Sequence, residues 1–424
     1  MIELSNQAGR LTLRGNFLWS LVGTASFAGC NWLQIVAISK YFESPAVVGR
    51  YALGLAVSLP MLALANLELR AVLSTDAKET RPFSDYLRLR VLTCGIVLLL
   101  TPLVAYLAYP DALVVIVLVV AVRVGEAIAD VFHGLYQRRE RMDRYAISQG
   151  IRAVLSLGAF MSGLWIWGEL VPALLAQLAV SLLVVASLDP GMARKLRTAN
   201  QEPASGGLMS LLTLAAPLGA VVFLGALQLN LPRYFIEEVL GARSLGLFAA
   251  IASLVSVATI VASALGHAVV PRLANYFAEG DFAAFSRLVW RLLGIAASLG
   301  VAGLIVTWLV GEPLLRLVYG PEYASGVGLL FVLFIFAGLN YMTGYLGAAV
   351  TAMREFRIQL VTQFARLLVV GLLCWALIPS YGLMGAAWAL VVSQAFAVFL
   401  YYQVARWFLG RAHQSFLRTG TEVS

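Results

Sequence analysis

Apolar residues are concentrated in windows of about 20 residues, the length that an α-helix needs to cross the hydrocarbon core of a bilayer. Short polar stretches that hold most of the charged residues separate these windows. The windows cover residues 16–39, 47–69, 88–109, 112–136, 145–167, 170–188, 209–230, 245–270, 284–310, 325–350, 357–378 and 383–407. They predict an all-α polytopic membrane protein with about twelve transmembrane helices in two six-helix bundles.

The composition agrees with a membrane protein. Of the 424 residues, 61% are hydrophobic and only 12% are charged, whereas a soluble domain has about 25% charged residues. The formal net charge of +8 could indicate nucleic-acid binding. However, the basic residues sit at the ends of apolar windows, as membrane topology requires. No nucleic-acid partner is therefore predicted.

Lysine and arginine are divided unequally between alternate loops. The loops on one side, together with both termini, hold 22 of the 30 basic residues, and the loops on the other side hold 5. The remaining three are arginines inside apolar windows. Because cytoplasmic loops carry the excess of Lys and Arg, both termini are predicted to be cytoplasmic.

The chain is predicted to form two lobes, residues 1–200 and 201–424. The connector between them, residues 189–207, starts with Asp189-Pro190-Gly191 and is rich in Pro, Gly and polar residues. Residues 42–52 align with residues 239–249, since in both a turn leads to Gly, one further residue, an aromatic residue and Ala. Six helices return the chain to the same side, so the two repeats are predicted to be parallel.

Arg123, Arg152 and Arg366 are the three arginines that lie deep inside apolar windows and not near their ends. An arginine at the centre of a transmembrane helix costs about 2.5–3.5 kcal/mol on insertion scales, so such residues are candidates for function. Arg152 and Arg366 stand in matched settings, because Ser148-Gln149 precedes the first and Thr362-Gln363 precedes the second. A cation repeated in both halves predicts a site for an anionic ligand.

The fourth window carries four polar residues on one helical stripe: Arg123, Glu126, Asp130 and His133. One interpretation is a structural ladder in which Glu126 neutralises Arg123 one turn away. The other is the wall of a polar cavity, in which Glu126 or Asp130 binds H⁺ or Na⁺. Both interpretations stay open on the sequence alone, and His133 is expected to be a solvated residue near the interface.

Arg152 and Arg366 differ in whether the sequence offers an acidic residue close enough to neutralise them. Asp130 or Glu126 could neutralise Arg152, but no acid occurs at comparable depth in the second half of the chain. Arg366 is therefore the better candidate for an anionic ligand. Gln149 and Gln363 share the faces of the two arginines, three residues earlier in each helix.

Polar amides occur in the first and seventh windows, which occupy matching places in the two repeats. Asn31, Gln34 and Asn230 could line a cleft and bind sugar hydroxyls, although hydrogen bonding between helices is the more common role of a single amide. No metal-ligand, nucleotide-binding or nucleophile motif is present. We therefore expect no enzyme and no cofactor, and energy for transport from an H⁺ or Na⁺ gradient or from the substrate gradient.

Several stretches carry a family resemblance. They are the turn from Ser44-Pro45 to Ala52, the run from Glu68 to Asp76, the run from Gly134 to Met142 leading to Ser148, and the stretch from Pro232 to Gly246. On these residues, and over nearly the whole chain, the sequence resembles the Wzx-type polysaccharide flippases. These belong to the multidrug/oligosaccharidyl-lipid/polysaccharide exporter superfamily. Twelve spans, and not fourteen, argue against the lipid II flippase branch.

The resemblance implies a MATE-like fold of two bundles in a V shape around a central cavity. It also implies export of a polyprenyl-pyrophosphate-linked oligosaccharide across the bacterial inner membrane, for O-antigen or exopolysaccharide assembly. The implied partners are this glycan, membrane lipid, and polysaccharide polymerase and chain-length proteins. Arg123, Arg152 and Arg366 would then bind the pyrophosphate in the cationic cavity of the family.

Three other functions suit the sequence less well. A cation-coupled multidrug exporter of the same fold would use Glu126 and Asp130 to bind its ion, but a net-positive cavity does not suit a cationic drug. A polysaccharide polymerase would be expected to carry a sizeable extracytoplasmic loop, and every predicted loop is short. A non-transporting scaffold would not need three arginines inside apolar helices.

Overall fold

The computed structural model describes residues 11–76, 80–194, 196, 207–353 and 356–421. Throughout these ranges the regular structure is helical and no β-strand occurs, which confirms the all-α prediction. In this part of the chain, ten helices are long and apolar enough to cross a membrane. Two of the ten are divided by a glycine with non-helical backbone angles, which brings the number of segments to the twelve predicted.

The chain forms two compact units, Met1–Asn230 and Leu231–Ser424; the lobe boundary predicted after residue 200 stays a prediction. The first unit contains α1 (Leu13–Phe42), α2 (Pro45–Asn66), α3 (Leu69–Thr75), α4 (Phe83–Ala108), α5 (Leu113–Arg138), α6 (Met142–Trp167) and α7 (Leu170–Ala193). The helical run Gly207–Ala278 then crosses the boundary between the units. Gly241, with φ 78° and ψ 172°, divides this run into α8 (207–240) and α9 (242–278).

The second unit continues with α10 (Phe282–Val318) and α11 (Val327–Ala352). The last helical run, Phe356–Thr421, is divided at Gly382, where φ is 57° and ψ is −136°. Its two parts are α12 (356–381) and α13 (383–421). Glycine suits both dividing positions because it adopts a positive φ without a steric penalty.

The turn predicted to repeat in the two halves is present in both units. In the first, Glu43 has a left-handed conformation at the end of α1, and Pro45 begins α2; in the second, Gly241 provides the corresponding turn between α8 and α9. The aromatic and Ala residues that follow are buried in both cases: Tyr51, Ala52, Phe248 and Ala249. The local structure thus agrees with the sequence alignment of the two segments.

Small residues allow the helices within each unit to approach closely. In the first unit, α5 packs against α2, α4 and α7, and α6 packs against α1 and α7. A methyl group added to Gly163 of α6 would lie 2.6 Å from the Cα of Ala173 in α7. In the second unit, a methyl group on Gly300 of α10 would lie 3.0 Å from the Cα of Gly338 in α11. Such contacts are typical of membrane helices, which associate largely through close packing.

The predicted start of the connector at Asp189 is wrong, because Asp189, Pro190 and Gly191 lie inside α7. Near its end, backbone carbonyls of α7 accept hydrogen bonds from two other helices. The Tyr136 hydroxyl donates to the Asp189 carbonyl at 3.2 Å, and Arg144 donates to the Met192 carbonyl at 2.5 Å.

The second predicted span, residues 47–69, corresponds to α2, and Leu67 and Glu68, with φ 49° and 51°, separate α2 from the short helix α3. One further prediction about the first unit needs correction. Arg90, one of the 22 basic residues assigned above to the loops of the cytoplasmic side, lies in α4 and is fully buried. Its partners, described below, explain how a cation is accommodated there.

Candidate functional site

Arg123 on α5 is neutralised within the first unit. Its Nη1 donates to Glu126 Oε2 at 2.7 Å, and its Nη2 donates to Asn31 Oδ1 of α1 at 3.0 Å. The Phe27 ring centroid lies 6.0 Å from the guanidinium carbon. This ion pair agrees with the structural interpretation of the polar stripe on α5, in which Glu126 neutralises Arg123.

Asp130, one turn further along α5, lies between two other arginines. Its Oδ1 accepts from Arg70 Nη1 at 3.3 Å, and its Oδ2 accepts from Arg90 Nη2 at 3.5 Å. Arg90 also donates to the Asn66 side chain at the end of α2. Glu126 and Asp130 are therefore both engaged with arginines, and their predicted role in H⁺ or Na⁺ coupling stays a prediction.

Arg152 on α6 has a carboxylate partner that the sequence did not identify. Its Nη2 lies 2.5 Å from Asp189 Oδ2, and Asp189 is completely buried. The expected partners, Asp130 and Glu126, do not make this contact. The sequence gives no sign of this partner, because Asp189 precedes Pro-Gly and lies at the start of the predicted connector.

Ser148 completes the cluster around Arg152. Its hydroxyl donates to Asp189 Oδ1 at 2.6 Å, lies 3.4 Å from Arg152 Nη2, and lies 3.1 Å from the Nε2 of His133. Gln149, predicted to share the face of Arg152, is only half-buried. His133 is buried, with 2% of its surface exposed, so its prediction as a solvated interface residue is wrong.

The remaining predicted amides of the first unit are buried hydrogen-bonding groups. Gln34 of α1 and Gln177 of α7 exchange two hydrogen bonds, of 2.8 and 3.1 Å. Asn230 donates to the Ala226 carbonyl at 2.8 Å.

The first unit has only a small pocket beside Arg152, which Gln34 and Gln177 also line. Its volume is about 10 Å³, which is about the room needed for one water molecule.

Arg366 on α12 is held by neutral amides. Its Nη1 donates to Gln363 Oε1 at 2.9 Å, and its Nη2 donates to Gln394 Oε1 of α13 at 2.8 Å. Gln394 in turn donates from Nε2 to Asn340 Oδ1 of α11 at 2.9 Å. No carboxylate of the described residues lies within 4.0 Å of Arg366, so its positive charge is not balanced by an ion pair there.

Arg366 and Gln363 line a cavity of about 530 Å³ in the second unit. Most of the other lining groups are neutral and polar: Thr259, Asn340, Tyr341, Thr343, Tyr345, Thr351, Gln359 and Tyr401. Arg366 itself is 5% exposed. The cavity thus combines one cation with many hydroxyl and amide groups, which suits an anion that also carries hydroxyls. Gln394 was not predicted, since a single amide in an apolar helix gives no signal.

Solved structures share the fold of this chain. A mutant of the Vibrio cholerae MATE transporter VcmN matches with a TM-score of 0.62 and 16% identity, over 96% of this chain and 96% of that chain. At this low identity the match shows a shared fold and nothing more, and this fold agrees with the predicted MATE-like fold.

Two relatives resemble the sequence itself. The capsular polysaccharide biosynthesis protein CapF of Staphylococcus aureus is 26% identical over 394 residues, covering 91% of this chain and 98% of the relative. A Shigella flexneri protein named "Putative O-antigen transporter" is 25% identical over 183 residues, covering 43% of this chain and 41% of that protein. The family model described as "Polysaccharide biosynthesis protein" matches residues 16–277, which is more than half of the chain. These matches confirm the resemblance seen in the sequence, and the chain belongs to the polysaccharide biosynthesis protein family.

Proposed function

We propose that this protein is a flippase for polyprenyl-pyrophosphate-linked oligosaccharide. It would carry its substrate from the cytoplasmic to the periplasmic leaflet of the bacterial inner membrane by alternating access, with both termini in the cytoplasm. The product would serve O-antigen or exopolysaccharide assembly, and a polysaccharide polymerase with its chain-length partner would use it next. The names of the two relatives, one for capsular polysaccharide and one for O-antigen transport, support this choice of substrate class.

The observation that carries the proposal is the cavity around Arg366. A lipid-linked oligosaccharide presents a pyrophosphate and many sugar hydroxyls, and the cavity provides a guanidinium beside hydroxyl and amide groups. Arginine suits phosphate because its planar fork can donate two parallel hydrogen bonds. Arg123 and Arg152 belong to the same proposed transporter, but each is already paired with a carboxylate. Arg366 is therefore the principal phosphate ligand in this proposal.

The test is transport by an Arg366→Ala variant in proteoliposomes that contain a polyprenyl-pyrophosphate-linked oligosaccharide. A hydrogen bond to a charged group contributes about 1.5–3 kcal/mol, so we expect the transport rate to fall at least about tenfold. Arg243→Ala is the matched control, because Arg243 lies in the same unit, is 63% exposed and pairs with Glu322. This control should transport like the wild type.

Membrane insertion and the apparent melting temperature are measured in parallel, so that lost transport is not mistaken for lost folding. Full transport by a well-inserted Arg366→Ala variant would remove Arg366 from the mechanism. Transport of organic cations, without transport of the lipid-linked oligosaccharide by the wild type, would instead favour the multidrug alternative.

A further inference from the structure

Gln394 contacts Arg366 but does not itself line the cavity. It is fully buried, accepts from Arg366 Nη2 at 2.8 Å, and is not among the residues that line the cavity. Its own amide donates to Asn340, which does line the cavity. Gln394 therefore connects Arg366 to a second lining residue and would act on a ligand only through these neighbours.

The hydrogen bonds of Arg366 leave much of the guanidinium available. Of the five N–H groups of an arginine, one goes to Gln363 and one to Gln394. The Nε is buried and has no hydrogen-bond partner among the described residues. A buried donor without a partner is costly, and the bonds to the two glutamines leave part of the hydrogen-bonding capacity of the guanidinium unused.

The first unit shows what happens when a carboxylate, and not an amide, contacts the matched arginine. There Asp189 of α7 contacts Arg152 at 2.5 Å and supplies a full negative charge. In the second unit, Gln394 of α13 likewise contacts the Nη2 of the arginine from the next helix, but it supplies only a neutral oxygen. An amide oxygen orients the guanidinium by a hydrogen bond without cancelling its charge.

We propose that Gln394 is a positioning residue that makes the Arg366 cavity specific for phosphate. It fixes the direction of the guanidinium and, because it is neutral, leaves the positive charge for a phosphate group of the substrate. A carboxylate at this position would convert the cavity into an internally neutralised site like that of Arg152. This inference rests on the proposed function, since it takes a pyrophosphate-linked substrate as the ligand of Arg366.

The experiment measures binding of inorganic pyrophosphate to the purified full-length protein by titration calorimetry. Gln394→Glu should weaken binding by about 10- to 100-fold, the loss expected when a charge-assisted hydrogen bond to the ligand is removed. Gln137→Glu is the matched control, because Gln137 accepts from Arg70 Nε at 3.1 Å in the first unit and does not line the cavity. It adds the same charge beside an arginine outside the cavity, at an exposed position where solvent screens it, so the affinity for pyrophosphate should stay close to that of the wild type.

Gln394→Met separates positioning from a purely structural role. Methionine accepts almost no hydrogen bond but adds no charge, so binding should fall only a few-fold and remain stronger than in Gln394→Glu. A structural role predicts the opposite order, because glutamate still accepts from Arg366 whereas methionine does not. The apparent melting temperature of each variant checks that the fold is retained.

The inference would be overturned by wild-type affinity in Gln394→Glu, by an equal loss in Gln137→Glu and Gln394→Glu, or by weaker binding in Gln394→Met than in Gln394→Glu. Absence of pyrophosphate binding by the wild type would overturn it as well, together with the anion site. If the binding order is as expected but the wild type does not move lipid-linked oligosaccharide in proteoliposomes, the inference stands and the flippase proposal fails.

Discussion

The two units place a buried arginine in closely similar sequence, but they treat its charge in opposite ways. Ser148 and Arg152 in the first unit match Thr362 and Arg366 in the second, and all four residues are buried. Arg152 faces the carboxylate of Asp189, whereas Arg366 faces the amides of two glutamines. The pocket beside the first measures about 10 Å³ and the cavity beside the second about 530 Å³.

The volume beside each arginine suits the way in which its charge is balanced. Moving a charge out of water costs several kcal/mol unless a partner or water compensates for it. Arg152 has its partner in the protein, so its surroundings can pack closely. Arg366 lacks such a partner among the described residues, and a large polar cavity admits water or an anion to fulfil that role. Similar sequence therefore gives a structural pair in one unit and a candidate ligand site in the other.

The largest effect is expected from removing the charge of Asp189. Asp189→Asn keeps the shape of the side chain but leaves Arg152 as an uncompensated buried cation, which typically costs about 3–5 kcal/mol. The measurement is the apparent melting temperature and the yield of folded protein in detergent. Asp143→Asn is the matched control, since the Arg141–Asp143 pair is partly exposed and such pairs contribute about 1 kcal/mol or less. Equal stability of the two variants would contradict the view that Arg152 depends on Asp189.

A smaller loss is expected from Ser148→Ala. The hydroxyl of Ser148 connects Asp189 with His133, and its removal leaves a buried carboxylate oxygen without a donor, at a cost of about 1–3 kcal/mol. The stability of Ser148→Ala should thus lie between those of the wild type and Asp189→Asn. The double variant Ser148→Ala/Asp189→Asn tests whether the two residues act together, because the stability changes of residues in one hydrogen-bond network do not simply add. Strict additivity would mean that Ser148 and Asp189 act independently.

The helices of this protein could be predicted from the sequence because hydropathy is a property of each segment by itself. The twelve windows correspond to the helical segments of the structure, and even the turns at Glu43 and Gly241 follow from local sequence. That no acid among the described residues pairs with Arg366 could also be anticipated, since the neighbouring windows contain no acid at comparable depth. These predictions required no knowledge of which helices pack together.

The partners of the buried arginines could not be predicted in this way. Asp189 is 37 residues from Arg152 in the chain and lies on the next helix, so the pairing depends on how α6 and α7 pack. The Pro-Gly that follows Asp189 suggested a connector, and hydrogen bonds from other helices to the end of α7 were not visible in the sequence. Gln394 carries no charge and stands in an apolar helix, so only the structure relates it to Arg366.

The smallest effect is expected at Thr362, the counterpart of Ser148 in the second unit. Its hydroxyl donates at 2.7 Å to the Ile358 carbonyl, four residues earlier in the same helix. This local bond contributes little and can even weaken a helix slightly. Thr362→Val keeps the volume and should change the stability by no more than about 0.5 kcal/mol, the usual size of a change outside any special contact. The measurement is again the apparent melting temperature, compared directly with Ser148→Ala. A loss in Thr362→Val as large as that in Ser148→Ala would mean that the second unit also contains a polar network around its arginine, and the contrast between the two sites would then disappear.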